Sequence, residues 1–113
     1  MTTQLLKTGL LGRAIEADDT GLKDAPAILF NPHRLLIMKI LVKHVYADFR
    51  DLKRDLQITD GNLASHLRAL GKMGYVETHK EIVGNKPRTT FILTRNGMEA
   101  FEDLVESLRK VIE

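Results

Sequence analysis

From Asn31 onward the apolar positions fall into registers that switch from helical to extended spacing and back. Leu35, Leu36, Ile37, Met38, Ile40, Leu41, Val42 and Val45 cover most of the circumference of a helix running from Pro32 to about Val45. Asn31 is placed to cap it, its side-chain oxygen accepting from first-turn amides. Pro32 at the first helical position gives up an N–H that has no partner there. A helix apolar nearly all round is buried on several sides, and in a domain this small part of that surface is expected to face a partner subunit. Phe49, Leu52 and Leu56 share one face of a second, short helix, with Arg50, Lys53 and Arg54 pointing elsewhere. After the turn Gln57-Ile58-Thr59, a third helix runs from Asp60 to about Met73, capped by Thr59, with Leu63, Leu67 and Leu70 as its buried stripe. Gly71 and Gly74 end it or let it pack closely.

The spacing then turns extended. Tyr75 to Val83 reads as a strand, and Thr89 to Leu93, dense in β-branched and aromatic residues, as another. Between them Gly84-Asn85-Lys86-Pro87-Arg88 reads as a loop, making a hairpin with a basic tip. Thr94 caps a last helix from Arg95 to about Ile112. Its Met98, Phe101, Val105, Leu108 and Ile112 recur at heptad steps, and Leu104 and Val111 widen the stripe.

The order is helix, short helix, helix, hairpin, helix: a mainly α protein with a small β-hairpin, α+β in class. Two helices joined by a turn of about three residues read as a helix-turn-helix, and the basic hairpin adds a wing. Stepping about 100° per residue from Leu63, the polar side of the third helix carries Gly61, Asn62, Ser65, Arg68, Ala69 and Lys72, with His66 on the flank. Asn suits adenine N6/N7, Arg guanine O6/N7, Ser either, and Lys phosphate or guanine. Small Gly61 and Ala69 would let such a helix approach bases closely.

Charge sharpens this only through its distribution. The whole chain of 113 residues carries 17 Lys and Arg against 15 Asp and Glu, a net +2. Residues 31–97 hold a net +6 and all four histidines, while residues 1–30 hold −1 and residues 98–113 hold −3. A basic centre with less basic ends suggests a local electrostatic footprint, although a solvated surface has the same arithmetic. The length fits one domain, no window is apolar enough to span a membrane, and no secretory signal is apparent, so a cytoplasmic location is the expectation. With no cysteine, disulfides, thiolate metal sites and thiol nucleophiles are excluded. The histidines at 33, 44, 66 and 79 lack ligand spacing. Ser65 and His66 diverge by about 100° on a helix and cannot pair as nucleophile and base. No enzyme, metal or cofactor is expected. Leu5, Leu6, Leu10, Leu11 and Ile15 could form one side of a helix that Gly9 and Gly12 weaken, so residues 1–27 read as an extension that either adds to an interface or hangs free, with a polar linker at 17–24.

Leu56-Gln-Ile-Thr-Asp-Gly-Asn-Leu-Ala-Ser-His-Leu-Arg-Ala-Leu, Gly74-Tyr-Val, Val83-Gly-Asn-Lys-Pro-Arg-Thr-Thr and Leu93-Thr-Arg-Asn-Gly together resemble small single-domain winged-helix transcriptional regulators. The nearest group is that related to the multiple-antibiotic-resistance repressor (MarR) family, with the arsenic-repressor (ArsR) family more distant. The resemblance covers roughly residues 28–112. It implies a homodimer on double-stranded DNA, with an inverted-repeat operator. The third helix would enter the major groove and the wing an adjacent minor groove or its phosphates. Carried onto this chain, Asn62, Ser65, His66, Arg68 and Lys72 would contact DNA from the helix, and Lys86 and Arg88 from the wing. The C-terminal seam of Met98, Phe101, Val105, Leu108 and Ile112 would form the dimer interface, although it could also fold back on its own domain. Apolar helices meeting there can leave a pocket for a lipophilic effector, for which no polar anchor is evident. ArsR-type metal-binding cysteines are absent. The alternative is a winged-helix protein–protein interaction module without DNA binding.

Overall fold

In the computed structural model the described residues are 26–113; the expected N-terminal helix around Leu5 to Ile15 lies outside them. The chain enters through a short 3-10 turn, Ala27–Leu29. Asn31 is extended (φ −147°, ψ 128°) and its side chain accepts from the amides of His33 and Arg34, so α1 starts at Pro32 and runs Pro32–His44. The apolar circumference is unequally covered. Ile37, Met38 and Leu41 are fully buried, while Leu36 is 44% exposed. Val45 ends α1 at φ 74°, ψ −43°, a region strained for a β-branched residue.

That cap redirects the chain into β1, Tyr46–Asp48, which leads straight into α2, Phe49–Leu56. Asp48 caps α2 by accepting from the Asp51 amide, and Gln57 ends it in the left-handed region. α3, Asp60–Lys72, begins on Thr59, whose hydroxyl accepts from the Asn62 amide, and buries Leu63, Leu67 and Leu70. Its end is a Schellman arrangement. The Tyr75 amide donates to the Leu70 carbonyl and the Gly74 amide to the Gly71 carbonyl, both at 3.0 Å, with Gly74 at φ 78°.

Two strands follow, β2 over Val76–Val83 and β3 over Lys86–Leu93. The loop between them is shorter than the sequence pattern predicts. Gly84 and Asn85 both take positive φ, 58° and 65°, giving a two-residue turn of the kind that matches strand twist. Val83 and Lys86 close it, so Lys86 and Arg88 belong to β3 and not to a loop. Pro87 is tolerated there for two reasons. Its partner pair with Ile82 follows the closing pair, and alternate antiparallel pairs exchange no hydrogen bonds. β1 pairs only with Thr90–Ile92, leaving Pro87 on an open edge of β3. The sheet is three-stranded and antiparallel in the order β1-β3-β2. Its first strand is absent from the sequence pattern, because three residues are too few to show an alternation.

Thr94 then starts α4, Arg95–Ile112. Its hydroxyl donates to the Gly74 carbonyl at 2.6 Å and accepts from the Gly97 amide at 2.9 Å. Residues Ala27–Phe101 form one compact unit, and Glu102–Glu113 fall in another. Along α4 the buried positions are Gly97, Ala100, Leu104 and Ser107. The heptad seam lies about one residue step around the helix from them. Met98 and Phe101 are half-buried and Val105, Leu108 and Ile112 exposed, Ile112 by 80%. Among the described residues no helix is long and apolar enough to cross a membrane.

Candidate nucleic-acid interface

The core stripe of α3 fixes which of its residues face out. With Leu63 and Leu70 fully buried, Asn62, Ser65, Arg68 and Lys72 are all exposed. One side of α3 opens onto a concave groove of about 1120 Å³ bounded by α2, α3 and the two long strands. Leu67 and Phe91 form its apolar floor, and Ala64 and Gly71 keep the α3 wall low.

Its walls are cationic. Arg50 and Lys53 come from α2, Arg68 and Lys72 from α3, Lys80 from β2, and Lys86 and Arg88 from β3. The lining contains two carboxylates, Asp48 and Asp60. Both are engaged: Asp60 pairs with Lys53 at 2.8 Å and Asp48 lies 3.9 Å from Arg88. Arg50, Arg68, Lys72, Lys80 and Lys86 have no ion-pair partner among the described residues. Five uncompensated cations around one concavity make a positive potential that a low-dielectric floor focuses outward. Arg54, one helical step away, is different. Asp51 at 3.1 Å and Asp55 at 3.4 Å neutralise it, and these two charges hold its guanidinium above its ordinary pKa.

Of the side chains singled out in the sequence, the structure thus brings Arg68, Lys72, Lys86 and Arg88 to one groove. Asn62 and Ser65 are exposed on α3 but do not line it; at about 100° per residue Asn62 lies roughly 160° around the helix from groove-lining Ala64. His66 is placed otherwise. It is half-buried, its Nδ1 accepts from Arg34 Nε at 3.2 Å, and its ring lies 5.5 Å from that of His33. Arg34 is itself fixed by donating to the Ile28 carbonyl at 3.0 Å. Burial, then the Arg34 and His33 charges, push the His66 pKa below its ordinary value. The ring ties α3 to α1 on the flank away from the groove.

Arg50, Lys53 and Lys80 are groove residues that the sequence pattern left unassigned. For the two on α2 the signal was their i, i+3 spacing on the side away from Leu52. For Lys80 it was the period-two relation to Thr78, which also lines the groove. Among the described residues no group of three His, Asp or Glu side chains is arranged to hold a metal ion.

A short helix, a three-residue turn, an exposed-faced helix and a two-stranded wing sharing one basic groove define a winged helix. The chain belongs to the winged helix DNA-binding domain family, whose model matches residues 33–112. Among solved structures, a transcriptional regulator homologue from Pyrococcus horikoshii OT3 is 38% identical, with a TM-score of 0.75 over 87% of this chain and 95% of that one. An uncharacterised protein of Methanocaldococcus jannaschii is 36% identical over 72 residues, 64% of this chain and 78% of its own length. A MarR protein from Peptoclostridium difficile, 18% identical with a TM-score of 0.61 over 100% of this chain and 76% of its own, shares the fold.

Proposed function

We propose that this chain is a homodimeric, sequence-specific transcriptional regulator that binds double-stranded DNA through the groove between α3 and the wing. The observation that carries the reading is the set of five uncompensated cations on three walls of one groove, beside the exposed polar face of α3. Asn62, Ser65 and Arg68 are the side chains for base edges in the major groove. Lys72, Lys80, Lys86, Arg50 and Lys53 are suited to phosphates, and Arg88 to the enhanced negative potential of a narrow minor groove. The dimer would form through the α4 face of Met98, Phe101, Val105, Leu108 and Ile112, whose apolar groups are incompletely covered within one chain. Exposed Phe30 and Leu36 offer further apolar surface. Two-fold symmetry then calls for an inverted-repeat operator with half-sites about one helical turn, roughly 34–36 Å, apart. The likeness to the P. horikoshii protein, itself described as a transcriptional regulator homologue, supports the regulatory role.

Selection of bound duplexes from a random pool tests the reading directly. A palindromic consensus is expected, and its binding should weaken with log K falling by about 0.9 per phosphate neutralised as log salt rises. Arg68→Ala with Arg88→Ala should abolish enrichment while leaving the oligomer intact. A pool that yields no consensus, or binding indifferent to salt and to both substitutions, would reject it in favour of a protein-docking role.

A further inference from the structure

Asp48 is a carboxylate with two separate engagements. Its Oδ1 accepts from the Asp51 amide at 2.8 Å and so caps α2. Its Oδ2 lies 3.9 Å from Nε of Arg88. The first contact is a hydrogen bond that fixes the carboxylate. The second is too long for one but close enough for charge attraction. Asp48 is also the better shielded partner, its side chain 21% exposed against 48% for Arg88. The sheet accounts for the pairing. Asp48 stands opposite Thr90 across β1 and β3, so Arg88, two residues along β3, is its diagonal neighbour. Glu81 faces Arg88 in register from β2, yet makes no ion pair with it among the described residues. It is Nε that faces Asp48, while the terminal nitrogens of the guanidinium make no ion pair among the described residues. The cap thus holds a better-shielded negative charge beside a cation of the same groove.

Resting on the DNA reading above, we propose that Asp48 is a positioning residue for Arg88 that sharpens discrimination between duplexes. A guanidinium held by its carboxylate fits a groove of one shape and position. A guanidinium released from its carboxylate can swing toward any phosphate, and a duplex that does not fit no longer meets a nearby negative charge. The arrangement therefore lowers affinity for ill-fitting DNA while it preserves the contact to DNA that fits.

Asp48→Asn separates the two engagements, since Asn caps a helix as well as Asp but carries no charge. The probes are the duplex recovered from the random pool and a scrambled duplex of the same length and composition. In Asp48→Asn the affinity for the scrambled duplex should rise by about two- to fivefold, the scale of one partly exposed ion pair. Affinity for the recovered duplex should stay level or fall, so the ratio between them shrinks. In an Arg88→Ala background the same substitution should leave the ratio unchanged, because the coupled partner is gone. Circular dichroism and melting confirm that Asp48→Asn folds. A ratio unaltered by Asp48→Asn, or altered equally with and without Arg88, overturns the proposal while the DNA reading stands. Failure of the unsubstituted protein to bind either duplex removes the DNA reading and this inference with it.

Discussion

At His66 the fold is built around the neutral ring. Arg34 donates to Nδ1, so the ring must accept there, and a proton at that atom would set two cations against each other. Burial, Arg34 and His33 accordingly depress its pKa below the ordinary value. In the unfolded chain His66 regains a pKa of about 6.5. As pH falls through that value the unfolded state takes up the proton first, and stability rises with pH wherever the unfolded state binds more protons. The contribution is therefore complete above about pH 6.5. It is lost progressively toward the lower folded pKa, below which this residue adds no further slope. Melting temperatures measured across that window should fall with acid, and His66→Gln should flatten the curve. Equal slopes in the two proteins would remove His66 from the account. Residue identity alone shows which side chains can carry charge or read bases, but not where they aim. His66 and Arg68 are two residues, about 200°, apart on one helix, and the packing of α3 on α1 turns one toward Arg34 while the other lines the groove. Lys80 shares a strand face with Thr78 by its period of two, and pairing with β3 sets the register that brings that face to the groove.

At the scale of elements the join between α3, β2 and α4 depends on one residue without a side chain. The Schellman turn that ends α3 presents the Tyr75 carbonyl. The Thr94 amide donates to it at 3.0 Å, and α4 begins beside it. A Cβ on Gly97 would collide with that carbonyl oxygen and sit 2.8 Å from Leu93 Cδ1. The carbonyl is backbone and cannot swing aside, so Gly97→Ala must shift the start of α4 against the strands. A cost of about 1–3 kcal/mol is expected, as for other overpacked sites, lowering the melting temperature by roughly 4–8 °C per kcal/mol in a domain near this size. Gly61→Ala is the control. Nothing lies within 4 Å of the Cβ it would add, and Ala is the better helix former, so its melting point should hold or rise. A Gly97→Ala protein as stable as Gly61→Ala would contradict the close approach. The sequence shows Gly97 just after a capping Thr, but the reason for the glycine is a carbonyl more than twenty positions away in the chain, which no local pattern carries. The four helices were legible by different signals: α1 by its Asn31-Pro32 start and dense apolar run, α2 by its apolar spacing, and α3 and α4 by caps and apolar periods that agree. β1 was not, since only its partner β3 makes those three residues a strand. The hairpin loop read too long because Lys86-Pro87-Arg88 looks like turn composition, while the positive φ values at Gly84 and Asn85 complete the reversal alone.

For the whole molecule the distribution of charge and of uncovered apolar surface point in opposite directions along the chain. The groove concentrates cations. Residues 98–113, which make up most of α4, carry a net −3, a sign that disfavours contact with phosphates. Its exposed Val105, Leu108 and Ile112 lie among those acids, so a second copy that meets this stripe must bury apolar groups between flanking carboxylates. A further negative charge on the stripe should be poorly tolerated in a dimer, while costing a single chain little because Leu108 is already 36% exposed there. Leu108→Glu is therefore expected to sediment as a monomer with its helical circular dichroism intact. On the recovered palindrome its affinity should fall by about a hundredfold or more, because two linked half-site contacts become one. The slope of log K against log salt should roughly halve, since that slope counts phosphates neutralised per complex. The two readouts separate the causes. A substitution that merely damaged the groove would weaken binding with the dimer still present, whereas loss of pairing lowers affinity and slope together. Leu108→Glu that still sediments as a dimer would move the interface off this face of α4, and a native protein that is already monomeric would leave an inverted repeat without its two-fold partner.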